Sequence, residues 1–156
     1  MKDRGRGQAS SRKEDATWTK KGKKSIFGYK LHTKMDVGNK IITEMAVTTA
    51  RTHDGNIDLT NPDEIVYRDK GYSGCRTKAK GNATMKRNKH LLQHEMFRNK
   101  RITKKRCRGE HPSGLIVRMF KVGHTKLIEL HRIYTQQTFI CIAYNFHRLL
   151  YLPHIA

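Results

Sequence analysis

A short run of β-branched and aromatic residues that stops on an aspartate constrains this chain more than any other stretch. Residues 64–72 read Glu-Ile-Val-Tyr-Arg-Asp-Lys-Gly-Tyr, so Asp69 ends the run and Gly71 follows two residues later. Such a run predicts a buried strand, and α/β sheets commonly place their chemistry at the C-terminal ends of strands. Asp69 is therefore a candidate catalytic carboxylate. The alternative is a turn residue beside Gly71, because Asp also favours turns.

The charge of the chain points to a polyanionic partner. The 156 residues carry a formal net charge of +20, and only 36% of them are hydrophobic. Part of the chain is therefore expected to be poorly packed or to dock on something acidic. Nucleic acid is the leading polyanion and an anionic membrane surface is its rival. No apolar run approaches the length of a membrane span, and no N-terminal segment resembles a signal peptide. Nucleic acid is therefore preferred to a membrane as the expected partner.

The charge is also unevenly distributed. Residues 1–34 contain eleven Lys or Arg and three acids, residues 35–69 contain seven acids and three Lys or Arg, and residues 76–108 contain thirteen Lys or Arg and one acid. This pattern indicates an acidic, metal-binding centre between phosphate-binding segments, and its alternative is a solvated basic surface without a partner. The three cysteines form no Cys-x-x-Cys pair, which favours a reducing cytoplasm over a disulfide framework or a zinc ribbon.

The N-terminal half predicts a hairpin. Residues 1–24 are expected to form a basic, poorly ordered segment, because nothing before Ser25 reads as a strand, although Trp18 is expected to pack on the domain. Residues 25–36 and 41–50 read as two strands, joined by a turn at residues 36–39. His53 is expected to cap a short helix or loop that leads into the Asp69 strand.

The C-terminal half predicts helices. Helix formers occupy residues 88–106, Pro112 fits the first turn of a further helix, and a last helix is expected over about residues 125–151. One stripe of that last helix is expected to face the core. Its members are Phe139, Ile142, Ala143, Phe146, Leu149 and Leu150.

Several of these segments, in this order, resemble the DDE transposases of bacterial and archaeal insertion sequences. The segments that carry the resemblance are residues 18–22, 27–32, 67–72, 98–102, 109–112, 120–124 and 143–146. The resemblance extends from about residue 15 to the end. It implies an α/β fold in which an RNase H-like mixed sheet is flanked by helices.

The resemblance also implies which residues form the active site. Asp69 corresponds to the second Asp of the family and Glu110 to its Glu, and both would bind Mg²⁺ or Mn²⁺. Arg106 corresponds to the Arg of the family's Tyr-Arg-Glu-Lys signature and is the third candidate catalytic residue. Thr103 and Val117 stand where that signature has Tyr and Lys.

The first Asp of the family has no clear counterpart. It belongs to a strand before the hairpin, whereas the only aspartates before Ser25 are Asp3 and Asp15, and Asp15 matches family sequence that follows the first Asp. The resemblance therefore implies that residues 25–156 are a partial catalytic domain that lacks its first strand, as in an N-terminally truncated enzyme. We expect that this chain alone does not catalyse transposition.

The predicted function is that of a DNA transposase catalytic-domain fragment. It would bind the DNA ends of its own mobile element and cleave and transfer strands with a metal ion, as a homo-oligomer on DNA in the nucleoid of a prokaryotic cytoplasm. The cations expected to contact DNA are Lys86, Arg87, Lys89, Arg98, Lys100, Arg101, Lys104, Lys105 and Arg108. A non-catalytic basic DNA- or RNA-binding protein is the alternative.

Overall fold

Five strands and two long helices make up the part of the chain that the structure describes. The structure is a computed structural model that describes residues 15–86 and 90–152, without the side chains of Lys21, Lys70 and residues 110–112. The elements are β1 (Thr17–Lys21), β2 (Lys24–Met35), β3 (Ile42–Thr49), β4 (Ile65–Arg68), β5 (Gly81–Thr84), α1 (Gln93–Phe120) and α2 (Leu130–Leu149). The predicted mixed α/β class is confirmed.

The first three strands form an antiparallel sheet in the order β1-β2-β3. The long strand β2 pairs with β1 as far as Gly28 and with β3 from Tyr29 onwards. Gly28 has φ +141 at this change of partner, a conformation that favours glycine. The expectation that no strand precedes Ser25 is wrong. Trp18 packs against Phe27 across the β1–β2 pair, with ring centroids 5.1 Å apart. Trp18 is nevertheless 60% exposed, so this cross-strand contact supports β1 without burying the indole in the core.

The predicted turn between β2 and β3 is confirmed. The Asp36 carboxylate accepts hydrogen bonds from the backbone amides of Asn39 at 2.8 Å and Gly38 at 3.2 Å. These backbone hydrogen bonds, first that of Asn39, lower the pKa of Asp36 below its ordinary value. The carboxylate therefore fixes the turn, and with it the register of the hairpin.

A second sheet consists of β4 and β5, which run parallel to each other. Among the described residues no ladder joins it to the first sheet. Instead, β2 and β4 both line a cleft of about 1090 Å³, which α1 closes on another side. The expected mixed sheet is thus divided in two, because no described strand lies between β2 and β4.

Helix α1 is one continuous helix of 28 residues. The expected helix start at Pro112 is wrong, because the backbone is helical on both sides of it. An interior proline costs about 3 kcal/mol or more. Ile102 and Ile116, which are 4% and 3% exposed, lie on either side of it, and burial of two such side chains contributes about 3–6 kcal/mol. Packing therefore outweighs the cost of the proline.

Helix α2 covers the hairpin, but not with the expected face. Phe139 and Phe146 are 67% and 64% exposed, and Leu150 is 78% exposed, so the prediction that this stripe faces the core is wrong. The buried face of α2 consists of Ile133, Gln137, Ile140, Cys141 and Tyr144. Three of these residues form the core cluster with Ile42 and Ile116, namely Ile140, Cys141 and Tyr144.

The rotation of α2 is set by polar contacts. Asn145 accepts a hydrogen bond from the Ile42 amide at 2.9 Å and donates one to the Ile42 carbonyl at 2.8 Å. The Tyr144 hydroxyl donates to the Lys40 carbonyl at 2.8 Å. Because apolar residues surround most of α2, hydrophobicity alone permits more than one rotation, and these hydrogen bonds select one.

Candidate functional site

Asp69 lies immediately after the last residue of β4. Its backbone carbonyl accepts a hydrogen bond from the Tyr72 amide at 3.0 Å, which closes a short 3-10 turn over Lys70–Tyr72. The Asp69 side chain is 55% exposed, so its carboxylate is accessible from solvent. A fixed backbone that carries an accessible carboxylate is a geometry in which a metal ion or a substrate can be bound.

Arg106 of α1 reaches Asp69. Its Nη1 atom lies 3.6 Å from Asp69 Oδ1, which is longer than the 2.7–2.9 Å typical of a charge-assisted hydrogen bond. An ion pair as exposed as this one contributes about 0–1 kcal/mol to stability. The contact therefore does little to hold the fold together. Its main effect is to place a positive charge beside the Asp69 carboxylate.

The residue before Asp69 anchors the end of β4. Arg68 is buried, its Nη2 donates to Asp58 Oδ1, and its guanidinium lies 5.2 Å from the centroid of the Tyr72 ring. Asp58 also accepts from the Lys78 amide at 2.8 Å and from the Thr60 hydroxyl at 2.7 Å. These contacts connect the segments before β4 and β5 and thereby fix the backbone that carries Asp69.

The partly buried environment of Asp58 has opposing effects on its acidity. Burial acts to raise the pKa of Asp58, but hydrogen bonds from Thr60, Lys78 and Arg68 outweigh it and the pKa is lowered. Asp58 is therefore a structural carboxylate that stays ionised. Sequence reasoning missed the pairing of Asp58 with Arg68. The available signal was an arginine in an otherwise apolar strand.

The cleft between the two sheets, which we call the inter-sheet cleft, is lined by β2, β4 and one face of α1. Lys34 of β2 crosses it, with its Nζ atom 3.0 Å from Glu64 Oε1 and in contact with Glu44. Burial acts to lower the pKa of Lys34, but hydrogen bonds to these two carboxylates outweigh it and raise the pKa. Lys34 is therefore shared by Glu44 and Glu64 and balances one of their two negative charges, whereas Asp69 lies at the Arg106 side of the cleft.

The face of α1 that lines the inter-sheet cleft includes Lys105, Arg106, Gly109 and Ser113. Glu110 follows Arg106 by four residues in the same helix, and residues four apart lie on one side of a helix. The backbone of Glu110 is therefore on the Arg106 side of α1. The Glu110 side chain is outside the described part of the chain, so its proximity to Asp69 stays a prediction.

Asp15 has a different place in the structure. Its Oδ1 atom accepts from the Tyr29 hydroxyl at 2.9 Å, and its Oδ2 atom accepts from the Leu130 amide at 2.6 Å. Both oxygens thus bind protein groups, one in β2 and one at the start of α2. Among the side chains that the structure describes, which do not include those of Glu110 and His111, no three His, Cys, Asp or Glu cluster as a metal site would require.

The cations predicted to contact DNA fall into two groups. Arg98 donates to the Thr84 carbonyl at 2.8 Å, and Lys86 pairs with Glu95, so both connect α1 to the β5 region. The second group is exposed along α1 and consists of Lys100, Arg101, Lys104, Lys105 and Arg108. Arg87 and Lys89 lie outside the described residues.

In the described part of the chain, neither long helix has the length and hydropathy that crossing a bilayer would require.

Comparison with protein families gives one match. A family model described as "Transposase DDE domain" matches residues 4–146, and the α/β architecture is compatible with the RNase H-like fold of such domains. No curated protein matches the chain, and no solved structure matches it.

Proposed function

The chain belongs to the family of transposase DDE domains, and on this basis we propose that it provides part of a DNA cleavage and strand-transfer centre. In this proposal Asp69 and Glu110 bind the divalent cations, Arg106 holds the Asp69 carboxylate, and the exposed cations of α1 bind DNA phosphates. The observation that carries the proposal is the contact between Arg106 and Asp69. It places the end of β4 against the side of α1 that also bears Glu110.

The chemistry of the proposed ligands fits a hard cation. Mg²⁺ and Mn²⁺ are bound through oxygen ligands, and the Asp69 carboxylate is accessible at the rim of the inter-sheet cleft. The proposed set has two carboxylates, because the first Asp of the family has no clear counterpart in this sequence. Bound metal ions would activate the attacking oxygen and stabilise the leaving oxygen of the phosphodiester.

The protein residues have separate tasks in this proposal. The hydrogen bonds around Arg68 hold the β4 end in place, so that Asp69 presents its carboxylate in a fixed position. Arg106 adds a positive charge beside that carboxylate, where a DNA phosphate would also be attracted. The cations on α1 would position DNA without reading its sequence, because they contact phosphates rather than bases.

The same proposal implies a substrate, an oligomeric state and a place in the cell. The substrate would be the DNA ends of the mobile element to which the chain belongs. The protein would assemble as a homo-oligomer on those ends, in the nucleoid of a prokaryotic cytoplasm. Two DNA ends have to be joined to one target, and a pair of protein copies is the simplest arrangement that provides for both.

A metal titration tests the proposed site. We expect Mn²⁺ to bind the purified chain by calorimetry, and we expect binding to be lost in Asp69→Asn and in Glu110→Gln, because each change removes a charged oxygen ligand. Asp63→Asn is the matched control, since Asp63 is an exposed carboxylate in the turn before β4. Equal Mn²⁺ binding by all four proteins would contradict the site and favour a non-catalytic nucleic-acid-binding protein.

An activity assay tests whether the chain suffices for catalysis. We expect no strand cleavage with Mg²⁺ or Mn²⁺ on DNA that carries the element's ends, because the first Asp of the family has no clear counterpart in this sequence and a second metal ion would lack its bridging carboxylate. Cleavage that disappears in Asp69→Ala and in Glu110→Ala would contradict this expectation.

A further inference from the structure

Helix α1 has two faces of different character over its N-terminal half. The inner face holds the fold together, since Glu95 pairs with Lys86, Arg98 donates to the Thr84 carbonyl, and Ile102 is buried. The opposite face, which we call the outer face of α1, carries a different set of residues. It consists of His94, Phe97, Lys100, Arg101, Lys104 and Arg108, all of which are exposed.

Phe97 is the unusual member of the outer face. Its side chain is 57% exposed, and it lines a shallow surface depression with His94, Lys100, Arg101, Thr103 and Lys104. In a helix of standard geometry, Lys100 and Arg101 lie about 4.5–6 Å from Phe97 along the axis, and Lys104 lies about 10.5 Å away. An aromatic ring is thus surrounded by positive charge at intervals comparable to the size of a nucleotide.

The electrostatic setting selects the class of ligand. Residues 93–109 contain seven Lys or Arg and one acid, and that acid, Glu95, is buried and paired with Lys86. A polyanion is therefore attracted to this face. Single-stranded nucleic acid combines phosphates that pair with cations and bases that stack on aromatic rings, whereas the bases of a duplex are already stacked on each other.

We propose that the outer face of α1 binds a single-stranded segment of DNA, with one unpaired base stacked on Phe97 and the adjacent phosphates on Lys100, Arg101 and Lys104. This inference rests on the proposed function in so far as the ligand is DNA. It adds that the protein holds a strand whose bases are unpaired. Phe97 lies on the same helix as Arg106 and Glu110, about 20 Å along the axis from Glu110 and on the opposite side of the helix, so a strand opened at the candidate site would reach it by passing around α1.

The test compares single-stranded and duplex DNA of the same sequence by fluorescence anisotropy at one salt concentration. We expect Phe97→Ala to weaken binding of the single strand about 5- to 150-fold, the range that loss of one stacked base corresponds to, and to leave duplex binding unchanged. Phe139→Ala is the matched control, because Phe139 is 67% exposed on α2 and has no Lys or Arg within four residues of it in sequence. It should change neither affinity.

Two further variants separate stacking from other roles of Phe97. The Phe97→Trp variant should retain binding, and the single strand should quench the fluorescence of the introduced tryptophan. Phe97→Leu keeps an apolar side chain without a ring and should bind as weakly as Phe97→Ala.

Lys104→Ala tests the phosphate contacts. It should weaken the binding of both DNA forms and reduce the slope of log affinity against log salt by about 0.7 for the single strand and about 0.9 for the duplex.

Several outcomes would overturn the inference. The first three are an unchanged affinity of Phe97→Ala for single-stranded DNA, an equal loss of affinity for single-stranded and duplex DNA, and full binding of the single strand by Phe97→Leu. The fourth is binding of poly-glutamate that is equally tight and also depends on Phe97, which would indicate an acidic protein partner. Mn²⁺ binding that depends on Asp69 is a separate result. If it fails while Phe97 still discriminates, only the catalytic proposal falls, whereas the absence of all DNA binding would contradict both proposals.

Discussion

Asp15 joins two parts of the molecule that are far apart in sequence. Its carboxylate binds Tyr29 of β2 and the amide of Leu130 at the start of α2, and the Tyr29 hydroxyl also accepts from the Glu129 amide at 3.1 Å. Glu129 has φ +92, a conformation that costs a non-glycine residue about 1–3 kcal/mol. The hydrogen bonds of Asp15 and Tyr29 offset that cost and fix the residue from which α2 begins.

Tyr29 makes this junction sensitive to alkaline pH. Burial, and then the hydrogen bond and charge of Asp15, raise the pKa of Tyr29 from its ordinary value of 10.0 to about 12. The unfolded chain therefore ionises first, so the stability that this group contributes is present below pH 10 and is lost as the pH rises toward 12.

The expected result is a steeper loss of stability in the natural chain than in Tyr29→Phe over that interval. Urea unfolding at about pH 9 and about pH 11.5 measures it, because the difference between the two proteins isolates the phenol from the many lysines. Equal pH dependence in both proteins would show that Tyr29 does not couple to folding.

Among the elements, α1 is the one whose continuity matters most for the candidate site. Arg106 and Glu110 keep their relation only if the helical turn between them is unbroken, and Ile102 and Ile116 hold the helix down on either side of that turn. The core contacts of α1 are therefore a condition for the geometry at Asp69, although they lie outside the inter-sheet cleft.

We expect Ile102→Ala to lower the free energy of unfolding by about 2–5 kcal/mol, because it removes buried methyl groups and leaves a cavity. Val117→Ala is the control on the same helix, since Val117 is 55% exposed, and its effect should stay within about 0.5 kcal/mol. Urea denaturation with matched m-values provides the measurement. Similar losses in the two variants would contradict the assigned orientation of α1.

The charge of the whole molecule leads to a prediction about salt. If about six cations contact phosphates, the slope of log affinity for duplex DNA against log salt should be near −5. Anisotropy titrations over a series of salt concentrations measure this slope. An affinity that does not depend on salt, or no binding at low salt, would indicate that the basic surface is only solvated.

The sequence predicted local structure well where one residue dominates. Asp36 fixes the turn at residues 36–39, His53 accepts from the Gly55 amide as a cap, and Asp69 follows a strand as expected. That strand is less buried than predicted, since Ile65 is 65% exposed. The sequence did not predict which face of α2 is buried, because both faces are apolar and Asn145 determines the choice between them. It also did not predict the ion pair between Asp58 and Arg68. These residues are ten apart in sequence, and a single pair of this kind produces no periodic pattern of polar and apolar residues.

The hydrogen bonds that hold α2 have a consequence for how the protein is made. Asn145 binds Ile42 across 103 positions of sequence, and Leu130 binds Asp15 across 115. A ribosome adds roughly 5–20 residues each second, so the hairpin waits roughly 5–20 s for the helix that covers it. During that interval Ile42 and the open strand edges are exposed to other chains. The yield of folded protein should therefore depend on the rate of translation and on chaperones that shield the first half of the chain until the second has been synthesised.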